Sequence, residues 1–334
     1  MIKEYWKSRL NSRAQSAYDI MLSEFRRYSE HIRLRNFSNN EAKQAYAALH
    51  SDHPELFYIS PVASFSSSGY FGSLQLIVEQ KNLYGIKEIK ERKQKIEELK
   101  KDVLSAAKGM NNIVDKEKLV CDMILDKTIY EIDNIYNQNA SEVLIHGRGQ
   151  CSGISKAGKI MLEWLNVPVI LINGHGFNAQ GNEGPHTWCI VEDAGKFHHL
   201  DITYMLGANS LKQKPYRYLY FNYSDSETSV NHEWDRHSVP QCVAGNKPEN
   251  GKTGINQKAN CEGRVINSMY ELRQELKKAV FSNNHMEFVS MIPADSVSSL
   301  MKAIKICCED VLNQTKMNCN ISISIQDNIV KLDW

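Results

Sequence analysis

GRGQCSGISKAGKIMLEWL, residues 147–165, is the stretch whose reading decides the fold. A glycine-rich turn ends at Cys151, and the residues that follow, from Cys151 to Leu165, read as a helix. A cysteine in the first turn of a helix lies among unpaired backbone N–H groups at the positive end of the helix dipole. Both stabilise a thiolate, the nucleophilic form. Gly149 and Gly153 are expected to let a substrate backbone come close. A helix start is also an ordinary place for a buried thiol, so this element needs partners before it means chemistry.

The partners lie downstream. VPVILINGHG, HTWCIVED and KFHHLDITYM read as three short strands. In GPHTWCIV a histidine, His186, opens a strand after Gly-Pro, a position from which an imidazole can face a cleft. In KFHHLDITY, Asp201 stands among apolar neighbours. Antiparallel pairing of these strands would set the two side chains next to each other. A buried carboxylate would then hold the imidazole in one tautomer and stabilise its charged form. A cysteine, a histidine and an aspartate, each at the edge of its own element, form the set that nucleophilic acyl transfer requires.

Residues 116–223 resemble the transglutaminase-like core found in transglutaminases, in peptide N-glycanases and in bacterial cysteine peptidases. The resemblance is carried by Gly149, Cys151 and Gly153, by LNVPVILINGHG, by His186 and Trp188, and by Asp201 and Thr203. It implies Cys151 as nucleophile, His186 as general base and acid, and Asp201 as orienter. The preceding segment DKTIYEID, read as the end of a helix, resembles the place where the family carries an aromatic residue ahead of the nucleophile. That makes Tyr130 the candidate oxyanion or substrate-side donor, with Gln150 as an alternative. Cys189 stands where members often have asparagine. DHPELFYIS and residues 216–242 are similar to parts of bacterial members with a helical amino-terminal extension.

Further out, residues 1 to about 50 carry apolar and aromatic positions at helical spacing, including Tyr18, Met21, Leu22, Phe25 and Tyr28. LQLIVEQ reads as a strand after the turn-prone SSSGYFG. A charged helix is expected over 87–110, with Ile89, Ile96, Leu99, Val103 and Ala106 as its apolar stripe and a solvated lysine and glutamate face. A second amphipathic helix is expected over 116–129, capped by Asp115. Residues 240–263 read as a long loop, followed by a strand, a helix over 268–281, a strand over 286–292, a helix over 296–313 and the alternating ISISIQDNIVKLDW. The resulting plan is an α+β protein in four parts. A mainly helical region with a short β segment occupies 1–115, and a core of a helix packed on an antiparallel sheet occupies 116–240. A linker spans 241–263 and a small α+β appendage spans 264–334.

Composition narrows the function. The 334 residues carry 40 basic and 39 acidic side chains, without the excess positive charge that nucleic-acid binding requires. No apolar run approaches the roughly 20 residues of a membrane span. The amino terminus carries charges throughout and does not read as a signal peptide. A cytoplasmic setting is the expectation for the sequence as given, and a secreted one if a signal has been removed. The eight cysteines form no dense framework, so reduced thiols are expected, Cys242 and Cys261 included.

No cofactor and no metal site is expected, because His175, His186, Cys189, His198 and His199 match no zinc spacing. His175 would line the cleft or cap a strand end. His198 and His199 would flank the Asp201 strand, one outward and one packed. Trp188 would pack beside the imidazole, and His53 and Glu55 would form a turn. The expected partner is a peptide or protein substrate. The expected reaction is peptide-bond hydrolysis, with glutamine transfer or deamidation as an alternative and a non-catalytic binding module as a third reading.

Overall fold

The computed structural model describes residues 4–70, 73–132, 134–177, 183–209, 217–229, 231–246, 265–266, 269–279, 285–290, 297–315, 322–326 and 329–333. Helices and antiparallel ladders share the chain, giving an α+β fold. It divides into two compact units. The first comprises Met1–Ile172, Thr187–Thr203 and Arg236–Cys242, and the second comprises Asn173–His186, Tyr204–Asp235 and Val243–Trp334.

The first unit begins with α1 (Tyr5–Ser8), α2 (Ser12–Arg26), β1 (His31–Arg35) and α3 (Asn39–Asp52). The all-helical reading of this region is corrected by β1. Tyr28 takes a left-handed φ of 65° just past α2, and HIRLR then alternates, burying Ile32 and Leu34 between exposed His31, Arg33 and Arg35. α3 starts on a capping box in which Ser38 and Glu41 satisfy each other's backbone N–H. β2 (Ser64–Tyr70) and β3 (Ser73–Glu79) form a hairpin, with β1 on the far edge of β3. Met21, Phe25, Leu49, Tyr58, Leu76 and Val78 close the core between these helices and the sheet.

α4 (Ile86–Ala106) is the expected charged helix. It buries Ile89 and Val103 and half-buries Ile96 and Leu99, whereas Ala106 faces solvent. α5 (Ile113–Leu125) follows, and its N-cap is Asn112, not Asp115: the Asn112 amide oxygen accepts from the Asp115 backbone N–H at 2.7 Å. This helix stops at Leu125, so DKTIYEID is not helical. It holds β4 (Ile129–Tyr130), which pairs in parallel with β5 (Arg148–Gly149). Between them lie a 3-10 turn (Ile135–Gln138) and α6 (Ala140–His146), and β5 leads directly into α7 (Cys151–Trp164).

β6 (Val169–Phe177) and β7 (Glu183–Asp193) each run through both units, and β8 (Lys196–Leu200) pairs antiparallel with β7 from Cys189↔Leu200 to Asp193↔Lys196. The strand expected to continue through Met205 ends at Leu200. From Ile202 the chain is helical, as α8 (Ile202–Asn209), with Ile202 and Met205 buried three positions apart. His198 and His199 are both buried, at 4% and 1% exposure, which corrects the expectation that one faces outward. β8 is flanked by β7 on one edge and bridged at Phe197 by Cys242 on the other.

In the second unit, α9 (Asp225–Thr228) precedes β9 (His232–Glu233), which pairs with β6 at Gly176↔His232. The carboxy-terminal part holds β10 (Val265–Ile266), α10 (Met269–Ala279), β11 (His285–Ser290), α11 (Val297–Thr315), β12 (Ser322–Gln326) and β13 (Ile329–Asp333). Their sheet order is β10-β11-β13-β12. Leu272, Leu276, Phe288, Ile304, Val311, Val330 and Leu332 form its own core. Residues 247–263 of the expected linker lie outside the described residues, as does Cys261. Cys121, Cys151, Cys189, Cys242, Cys307 and Cys308 are free thiols. Among the described residues no helix is long and apolar enough to cross a membrane.

Candidate active site

Cys151 is the first residue of α7, partly exposed, behind Gln150 at the N-cap. Gln150 makes no side-chain capping bond, so the dipole end of α7 is not shielded by its own cap. The 3-10 turn is bonded to this end of the helix. The Asn137 carbonyl accepts from the Gln150 backbone N–H at 3.0 Å, and the Gln138 carbonyl accepts from Ser152 Oγ at 3.3 Å.

The glycines around the cysteine serve this internal packing. A Cβ on Gly153 would collide with the Asn137 carbonyl, and one on Gly149 with Val143. These glycines were expected to make room for substrate; the neighbours they admit are the protein's own, backbone at Gly153 and a Val143 methyl at Gly149. Gly147 ends α6 in the left-handed conformation, φ 63°.

Tyr130 comes to the cysteine through the β4–β5 pairing, which sets it opposite Gly149. Burial raises its pKa, as do the Cys151 and Asp201 charges, against a lowering from the Cys151 backbone N–H that donates toward the phenol oxygen. The phenol is therefore a neutral hydroxyl at ordinary pH. The Cys151 and Asp201 charges thus both reach Tyr130, inside the first unit. Asp201 is itself buried, in the single-residue junction between β8 and α8.

Small residues on α7 bring the helix onto β7. Ser155 Oγ donates to the Thr187 carbonyl at 2.7 Å, and Cys189 Sγ donates to the Ser155 carbonyl at 3.5 Å. A Cβ on Gly158 would lie 2.7 Å from Ile202 Cδ1. One turn of helix therefore links the Cys151 end of α7 to the residue that follows His186. Burial pushes the Cys189 thiol up to about 12, which keeps it in the unreactive thiol form. Trp188 is wholly buried, and its indole N–H donates to His199 Nδ1 at 3.0 Å.

His186 lies on β7 in the second unit, buried in a cluster of rings. Its ring centroid is 4.9 Å from that of Tyr204 and 5.2 Å from that of His232. Gly176 leaves space for it, since a Cβ there would come within 3.2 Å of the imidazole. Tyr204 donates its hydroxyl to the Phe177 carbonyl at 2.9 Å. Asn231 donates to the Tyr220 hydroxyl at 2.8 Å, and its amide oxygen lies 2.7 Å from His232 Nδ1. Since the Asn231 nitrogen is the donor to Tyr220, its oxygen accepts from His232 and Nδ1 carries the hydrogen. His232, Tyr204, Tyr220 and Asn231 were not singled out in the sequence. They come from 204–232, where no motif or regular spacing marks them.

The remaining candidates sit elsewhere. His175 is half-exposed on β6 and pairs with Glu183. His53 at the end of α3 pairs with Glu55 at 2.7 Å, as a turn would.

No family model matches the chain, and no curated protein matches it. Among solved structures it is similar to a TGase, at 16% identity over 52% of this chain and 51% of that one, with a TM-score of 0.30. It is also similar to a candidate cysteine protease from Cytophaga hutchinsonii, at 12% identity over 43% and 63% of the two chains, with a TM-score of 0.28. A candidate protease from Parabacteroides distasonis gives 10% identity over 42% and 36%, with a TM-score of 0.26. The chain thus spans about half the length of the TGase it resembles. Superpositions this partial carry no argument about mechanism.

Proposed function

We propose that this protein is a cysteine-dependent enzyme of the transglutaminase-like kind that cleaves amide bonds in polypeptides, with Cys151 as nucleophile, His186 as general base and acid, and Asp201 as the group that orients the imidazole. The observation that carries the reading is the position of Cys151: it opens α7, and its backbone N–H points at the Tyr130 phenol, which also feels the Asp201 charge. Asp201 immediately follows the last residue of β8, and His186 precedes Cys189 by three positions on the strand paired with it.

In this reading the Cys151 thiolate attacks the amide carbonyl carbon. The Cys151 N–H and the Tyr130 hydroxyl stabilise the oxyanion. The C–N bond breaks as the His186 imidazolium gives its proton to the leaving amine, which leaves a thioester on sulfur. His186 then takes a proton from water, hydroxide adds to the thioester, and the acid departs as the thiolate re-forms. An amine in place of that water gives transfer, so hydrolysis, deamidation and crosslinking share every step up to the thioester.

A polypeptide with bulky apolar side chains near the reacting amide is the favoured substrate. Ile129, Ile132, Ile135 and Tyr136 are all exposed, the first two at 66% and 65%, on the same eight-residue stretch as Tyr130.

The test is a peptide library containing glutamine, incubated with and without a labelled primary amine and read by mass spectrometry. Cleaved products dependent on Cys151 support hydrolysis, and amine incorporation moves the assignment to transfer. No product from any peptide, with Cys151 intact and the chain folded, would leave the binding-module reading in its place.

A further inference from the structure

Lys156 belongs to no part of the site described above, yet its charge lies at the same end of α7. Its ammonium reaches back along the helix to the Gln138 carbonyl at 3.1 Å, the carbonyl that also accepts from Ser152 beside the nucleophile. Its stem is partly buried, and among the described residues no carboxylate lies within ion-pair distance of it. A lysine held out of bulk water without a carboxylate is costly unless something else neutralises it.

The groups that face it are few. From α3 comes His50, whose Nε2 is buried without a hydrogen-bond partner. Burial, then the Lys156 charge, lowers the His50 imidazole to about 3, against a raising from the Ser60 backbone, so His50 is neutral and supplies no counter-charge. From the 3-10 turn comes only a carbonyl. From α7 itself comes Cys151. Burial lowers Lys156 to about 8, and the group that raises it again is the Cys151 sulfur. Below about 8 the lysine is therefore an ammonium, held at the Gln138 carbonyl beside the start of α7 and within electrostatic reach of the Cys151 sulfur.

We propose that Lys156 is the built-in counter-charge of the Cys151 thiolate, acting through the sulfur and not on substrate. This goes beyond the proposed function and rests on Cys151 being the nucleophile. It adds a side-chain charge to the helix dipole, and it ties nucleophile activation to a residue outside the Cys, His and Asp set. The ammonium favours the thiolate and the thiolate favours the ammonium, so the two groups titrate as a coupled pair.

Iodoacetamide alkylation of Cys151 in the full-length chain, followed by peptide mass from pH 5 to 9.5, tests this without any substrate. Lys156→Met is expected to move the titration of Cys151 upward by about one pH unit and to slow alkylation at pH 6.5 about tenfold. Lys156→Arg is expected to follow the parent chain. Superimposed profiles for the parent and Lys156→Met, with the parent midpoint well below ~8.5, would overturn the counter-charge and leave the nucleophile standing. A parent midpoint near ~8.5 would remove both.

If Lys156→Met does not fold, the reciprocal measurement decides. The Lys156 Cε resonance is titrated in the parent and in Cys151→Ala, where loss of the thiolate is expected to lower the lysine midpoint. An unchanged midpoint overturns the proposal.

Discussion

Gly153→Ala isolates the packing that seats Cys151 at the start of α7. The added methyl would run into the Asn137 carbonyl, with the Asn139 carbonyl 3.1 Å away and the Asn137 carbonyl carbon 3.3 Å away, so backbone meets it on more than one side. Overpacking against atoms that cannot rotate aside costs roughly 1–3 kcal/mol. Displacing Asn137 also weakens its bond from the Gln150 N–H, about 1 kcal/mol more. The gain in helix propensity from glycine to alanine offsets about 1 kcal/mol.

The net expectation is a loss of roughly 1–3 kcal/mol, read as a lower urea midpoint at unchanged slope. Gly158→Ala is the control. There the new methyl would press on the end of the Ile202 side chain, with Ile124 Cδ1 in ordinary contact at 3.8 Å and no backbone among its nearest neighbours, so its midpoint is expected to stay well above that of Gly153→Ala. Equal midpoints for the two variants, or a Gly153→Ala midpoint at the parent value, would refute the argument that the Asn137 turn is clamped onto the start of α7.

Cys151→Ala and His186→Ala are each expected to abolish amide turnover, and the double variant is expected to be no worse than either single one, since the two act as a unit; additive losses measured in kcat would contradict that. Tyr130→Phe is expected to lower kcat by about 10²-fold with KM little changed, as for a lost oxyanion donor, and an effect confined to KM would make Tyr130 a substrate contact instead. Arg92 bonds Glu142 at 2.9 Å and stacks on Tyr84 at 3.9 Å, so Arg92→Met is expected to cost about 2 kcal/mol in urea unfolding, less than a fully buried pair. His50 is held neutral in the folded chain, with its pKa lowered to about 3 from an unfolded 6.5. The unfolded chain therefore binds more protons between those values, and stability falls as pH drops through that window. His50→Leu is expected to flatten the acid limb of a plot of melting temperature against pH.

Much of the fold was legible because its signals are local. The 3.6-residue stripe of α4 and the alternation of β12 and β13 depend on neighbours a few positions away. β1 was missed because five residues of alternation are short beside two flanking helical stripes. The helical turn after Asp201 was missed because ITYM is rich in β-branched and aromatic residues. Only the burial of Ile202 and Met205 on one face reveals it.

Within the candidate site, Cys151 at a helix start followed from its element, whereas Asp201 was read inside a strand that ends one residue before it. The ring cluster around His186 did not follow, because Tyr204, Tyr220 and His232 meet only through tertiary packing. The glycines show the same limit: their presence was visible, but whether the neighbour they admit is substrate or the Asn137 carbonyl is decided far away in the sequence.

Arg92 ties the long charged helix α4 into a polar network. Glu88, Arg92, Tyr84, Glu142 and Asn139 are joined by hydrogen bonds and ion pairs, and Asn139 in turn caps α6 through the Ser141 and Glu142 N–H groups. A helix that composition presents as a charged outer surface thus works as a splint, riveted through the Arg92 guanidinium to α6, the helix that precedes the Cys151 turn. Lysines and glutamates of its exposed face, such as Lys95 and Glu98, can be exchanged to tune charge or to attach labels, while Glu88, Arg92 and Lys93, which bond or stack on the body of the unit, have to stay.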